Sequence, residues 1–118
     1  MDRIRGVARF TVKPENVEEY KRLSELCMRR AREADPGTLN YDIYCNEDQT
    51  QWVVYEEYVN SDAGMQHMKN MGELADAIFK IVEGGGEVFG RPSDENREAL
   101  EGMGVKVFSP WRSLRDET

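Results

Sequence analysis

The chain has one imidazole, His67, and it is the side chain best suited to move a proton near neutral pH. Groups that could work with it lie in two β-rich segments upstream, LNYDIYC (residues 39–45) and QWVVYEEYV (residues 51–59). Strand alternation puts Glu56 and Tyr58 on the side of Trp52 and Val54, and it puts Asn40, Asp42 and Tyr44 together on one side of the preceding strand. A histidine held against such a wall would be a general base. Glu56 and Tyr58 would stand beside it, while Asn40, Tyr44 and Trp52 would orient and enclose a substrate. Each residue also has a plainer reading: His67 as a core histidine satisfied by one hydrogen bond, Glu56 as the partner of an arginine such as Arg9 across a sheet, and Tyr44 and Tyr58 as packing.

Other chemistries find little footing. There is no GxSxG, HExxH, CxxC or P-loop, and Gly84-Gly85-Gly86 lacks the spacing of a dinucleotide turn. A single histidine and two isolated cysteines argue against a first-row metal site, so no metal or organic cofactor is expected. Cys27 and Cys45 read as small buried hydrophobes. A formal net charge of −7 disfavours phosphate backbones and anionic lipid, so nucleic acid and membrane are not the expected partners. MDRIRGVARF lacks the apolar stretch of a secretory signal, and a cytoplasmic location is expected.

The elements that must position these groups follow from pattern. IRGVARFTV (residues 4–12) is a strand, and Lys13-Pro14-Glu15 starts a helix in which Val17, Tyr20, Ser24, Cys27, Met28 and Ala31 recur at helical spacing. Asp35-Pro36-Gly37 stops it. The two segments named above then form a hairpin about Asn46–Gln49. Asn60-Ser61-Asp62 caps a second helix that starts near Ala63, is loosened at Gly72, and carries Ala63, His67, Met71, Leu74 and Ile78 on one stripe. The glycine run is expected to end that helix, with EVFG as a short fourth strand. Ser93 then caps a short helix to about Gly102, and VKVFS is a last strand.

The order βαββαβ predicts an α+β ferredoxin-like sandwich in one domain over residues 1–118, with a core at 4–91 and a C-terminal extension at 92–118. Apolar residues occupy both sides of the strands: Trp52 and Val54 against Val53 and Tyr55, and Ile4, Ala8 and Phe10 against Val7. A second copy of the sheet is the simplest cover for the face without helices, which predicts a homodimer through that face. The alternative is that the C-terminal extension covers it.

Pro36-Gly37, the alternating strand after it, Glu56-Glu57-Tyr58, and Ala63 with His67 four residues on resemble, in this order, the antibiotic biosynthesis monooxygenase family, over about residues 4–91. The resemblance implies a dimeric α/β barrel of two ferredoxin-like subunits. It implies activities that range over oxygenases needing no metal or flavin, quinol monooxygenases, haem-degrading enzymes and an isomerase. It also implies a pocket role for His67, Tyr58 and Glu56, and more weakly for Asn40. Two departures matter. Tyr58 stands where family oxygenases often have tryptophan, and Ile4–Val12 holds no asparagine of the kind the haem-degrading branch needs. The expectation is a cofactor-independent monooxygenase acting on a small phenolic or quinol-like molecule. A non-catalytic small-molecule-binding or stress-response dimer, and an isomerase using the same histidine, remain open beside it.

Overall fold

The computed structural model describes residues 3–114. Strand β1 (Ile4–Val12) leads through a 3-10 turn at Pro14–Asn16 into helix α1 (Val17–Ala34). Strands β2 (Thr38–Cys45) and β3 (Gln51–Tyr58) form the hairpin, followed by helix α2 (Ser61–Phe79), strand β4 (Val82–Phe89), helix α3 (Asp94–Gly102) and strand β5 (Lys106–Phe108). The sheet order is β2-β3-β1-β4-β5. β1 lies antiparallel between β3 and β4, β2 is antiparallel to β3, and β5 joins parallel to β4. This is the ferredoxin-like sandwich predicted, extended by a fifth strand and a third helix.

The glycine run departs from expectation. Gly84, Gly85 and Gly86 do not end α2 but lie inside β4, paired with Phe10, Arg9 and Ala8. Glycine weakens a strand, and here the central strand supplies the ladder that keeps the segment extended. Cys45 departs as well: it sits exposed at the end of edge strand β2, whereas Cys27 is buried.

The core lies between the sheet and the helices in three patches. Val12, Val17, Tyr20 and Trp52 form one, Leu23, Cys27, Ala31, Met71 and Leu74 the second, and Ile4, Tyr58, Val88 and Leu100 the third. Val12 is fully buried, which contributes about 1.5–3 kcal/mol. Leu100 of α3 joins the helix-side core and β5 lengthens the sheet edge, so the extension packs there. On the opposite face Val7, Val53 and Tyr55 are half-buried and Tyr44 is exposed, with Arg5, Arg9, Glu57 and Glu87 on the same face. That face has an apolar centre, but charges surround it more closely than the alternation of β1 and β3 alone indicated.

Candidate active site

The end of α1, helix α2 and strands β2 and β3 bring their polar groups together. α2 is capped by Asn60, whose Oδ1 accepts from the Ala63 N–H at 2.9 Å, and this fixes the register that turns His67 inward. Asp35 follows the last residue of α1, where its own N–H bonds the Ala31 carbonyl at 3.0 Å. The next turn runs against α2 so closely that a Cβ on Gly37 would stand 2.5 Å from that of Ala63, which only glycine avoids. That approach carries the Asp35 carboxylate to the imidazole.

His67 sits between two carboxylates. Nδ1 is 2.7 Å from Oδ2 of Asp35 and Nε2 is 2.9 Å from Oε1 of Glu56. The Asp35 side chain is 0% exposed, that of His67 8%, and that of Glu56 23%. Asn70, one turn after His67, donates from Nδ2 to Oδ1 of Asp35 and to the Ala34 carbonyl at 3.2 Å. Its own carbonyl accepts from Arg30 at 2.9 Å. The rings of Tyr41, paired with Glu56 across the hairpin, and of Tyr58 lie 5.3 and 5.4 Å from the imidazole. α2 is interrupted at Gly72, whose φ of 24° and ψ of −105° break the helix between the turn bearing His67 and Asn70 and the segment that ends at Phe79.

The electrostatics follow. Burial pulls the His67 pKa down, but the hydrogen bond and charge of Glu56, then those of Asp35, outweigh it and hold the imidazole above its ordinary value. Burial first, and then the negative charge of Glu56 among its neighbours, pushes the Tyr58 phenol up; burial, then Cys27 and Glu56, does the same to Tyr41. Both phenols stay protonated as donors. Glu56 does not pair with Arg9 or any arginine of β1. That arrangement belongs to its neighbour Glu57, which faces the other side of the sheet and binds Asn40 Nδ2 at 2.8 Å, Arg3 at 3.2 Å and Arg5 at 3.4 Å. Burial works to raise the Glu57 pKa, but Asn40, Arg5 and Arg3 hold it below the usual carboxylate range.

The structure thus brings His67, Glu56 and Tyr58 together and separates the other three candidates. Asn40 and Tyr44 lie on the far face, because the hairpin register, unbroken from Cys45 opposite Trp52 to Asn40 opposite Glu57, sets Tyr41 opposite Glu56. Trp52 shares the face of Glu56 but is four positions along β3, about 13 Å at strand rise. There its Nε1 donates to the Gln49 carbonyl at 2.6 Å and its ring packs 4.8 Å from that of Tyr20. Sequence reasoning missed Asp35, Asn70 and Tyr41. An acidic residue just past a helix C-terminus opposes the helix dipole, and that misplacement was the signal for Asp35.

A ferredoxin-like sheet with a polar cluster buried under its second helix defines the class, and the sequence places the chain within it. Residues 3–78 match the family model described as antibiotic biosynthesis monooxygenase, and the chain belongs to that family. Similar solved structures include MupZ from Pseudomonas fluorescens, at 21% identity over 99% of this chain and 97% of that one, with a TM-score of 0.85. A conserved protein from Methanosarcina mazei Go1 is 22% identical over 79% of this chain and 95% of that one, with a TM-score of 0.69. SnoaB, a cofactor-independent oxygenase from Streptomyces nogalater, is 16% identical over 98% and 100%, with a TM-score of 0.64. At these identities the likeness is one of fold, and in MupZ it extends through the C-terminal helix and strand. No curated protein sequence is significantly similar to the chain. Among the described residues no helix is long and apolar enough to cross a membrane.

Proposed function

We propose that the protein is a cofactor-independent monooxygenase acting on a small phenolic or quinol-like substrate, with His67 and its two carboxylates as the proton-accepting unit. The observation that carries this reading is the imidazole enclosed between Asp35 and Glu56, a costly arrangement in a core that a packed residue would serve more cheaply. Family membership supports the reaction class.

Dioxygen is a triplet and reacts slowly with closed-shell molecules, so the substrate itself must become electron-rich. Withdrawing the proton of a phenol leaves a phenolate able to give one electron to dioxygen. The resulting radical pair joins at the para carbon, and the hydroperoxide loses water to leave a quinone. One oxygen atom enters the product and the other leaves as water, which balances one phenol and one dioxygen against one quinone and one water. Tyr58 and Tyr41 place neutral phenols beside the imidazole, Tyr58 bonded to Glu56 and Tyr41 to Cys27, and a substrate oxyanion would have to draw their protons from those partners.

The test is oxygen uptake across a panel of phenols and quinols, with isotopically labelled dioxygen tracing one atom into the product. Uptake that depends on the unaltered array supports the reading. Tight retention of an aromatic molecule without uptake would instead favour a binding protein, and proton exchange at a substrate carbon without uptake an isomerase. Two copies are proposed to pair through the sheet face that bears Val7, Val53 and Tyr55, since the described extension packs on the helix side and leaves that apolar centre open.

A further inference from the structure

Both ring nitrogens of His67 point at carboxylate oxygens, at 2.7 and 2.9 Å. A bare ring nitrogen at that distance would set lone pair against lone pair, so each contact must hold a proton. Two protons shared among the three groups leave the array at a net charge of −1 wherever along the two hydrogen bonds they sit. With both on the ring, the imidazole has no lone pair with which to receive another. Asp35 is closed to a substrate, since its side chain has no exposed surface and its two oxygens are taken by His67 and Asn70. Glu56 differs from both. It spends Oε1 on the imidazole and takes a hydrogen bond from the Tyr58 phenol, yet its side chain is 23% exposed, the most open of the three.

From this geometry we infer that Glu56, not His67, is the catalytic proton acceptor, and that His67 with Asp35 behind it are positioning residues that aim and hold its carboxylate. The inference rests on the acid–base reading above and names the accepting atom. In the step, the substrate O–H bond breaks, a bond from that proton to Oε2 of Glu56 forms, and the electron pair stays on the substrate oxygen. The array passes from −1 to neutral, and the proton is given back when the product oxygen needs it. Asn70 fixes Asp35 from the other side, so rotation of the imidazole is opposed at both ends.

The ionisable groups facing His67 are Asp35 after α1, Glu56 and Tyr58 of β3, and Tyr41 of β2, behind which lies Cys27 of α1. His67 is the only histidine, so nitrogen-15 labelling of imidazole gives a single pair of ring resonances to follow. At pH 7 both ring nitrogens of the unaltered protein should carry protons, and Asp35→Asn and Glu56→Gln should each move the transition to lower pH. A neutral imidazole with an unprotonated Nε2 at pH 7 would overturn the inference.

On turnover, Glu56→Gln should lower kcat by roughly 100-fold or more with KM changed only a few-fold, and Glu56→Asp should restore part of it. Asp35→Asn should lower kcat less, about 10-fold, and shift the pH profile. Circular dichroism on each sample establishes that it is folded. If Glu56→Gln keeps full turnover while His67→Gln loses it, the acceptor is the imidazole and the inference fails, though the acid–base reading stands. If neither variant changes turnover of the folded protein, both fall.

Discussion

Removing the Asp35 carboxylate is the sharpest test of how the array is held. In Asp35→Ala the imidazole loses its 2.7 Å partner and the Asn70 amide loses an acceptor, at a side chain with no exposed surface. Breaking a buried charge pair from one side costs about 3–5 kcal/mol, a large part of the 5–15 kcal/mol that holds a typical domain together. At about 4 °C per kcal/mol for a chain of this size, the melting temperature should fall by about 12–20 °C. Scanning calorimetry from pH 5 to 9 adds a second readout. The His67 pKa is raised in the folded state, so its stabilisation is complete below the unfolded value of about 6.5 and is lost as pH rises through the folded value. Between pH 5 and 9 the gap between the unaltered protein and Asp35→Ala should therefore be widest at the low end and narrow toward pH 9. A variant melting within 3 °C of the parent, or a gap that widens with pH, would refute the pairing.

Three further outcomes are expected. Gly37→Ala should lower stability by about 1–3 kcal/mol, since the new methyl meets Ala63, and should also lower turnover by drawing Asp35 off the imidazole; thermal melts and kinetics on one sample measure both. Asn40→Ala, on the far face, should leave kcat within about two-fold while weakening the cluster about Glu57; steady-state kinetics with a melt would show it. Light scattering in solution should report a mass of two chains at micromolar concentration, and a monomer there would remove the sheet-face pairing.

Much of the fold was legible because its signals are local. Pro14 at a helix start, the Asp35-Pro36-Gly37 stop, the Asn60 cap and the Ser93 cap act within a few residues, and the structure honours each. The glycine run misled because glycine reads as a breaker, whereas β1 supplies the partner that makes Gly84–Gly86 a strand. Within the site, Glu56 and Tyr58 could be matched to His67 because strand alternation is strict through β3. Asn40 falls on the far face because the hairpin register, with Cys45 opposite Trp52, decides which side of β2 meets His67, and the alternation of one strand does not report it. Asp35 lay hidden behind its other role as a helix stop. Its link to His67 spans 32 residues of chain, which no periodicity reports.

Glu56 and Glu57 are joined by one peptide bond and serve opposite sides of the sheet, one held by an imidazole and the other by Arg3, Arg5 and Asn40. A slip of β3 by a single residue would set Glu57 at the imidazole and Tyr58 among the arginines or, in the other direction, Glu56 among the arginines and Tyr55 at the imidazole. Two electrostatic locks of different composition thus guard one strand alignment, and a slip in either direction breaks one of them. Folding errors at this hairpin should be rare for that reason, even though β2 is an edge strand with most of its residues open to solvent.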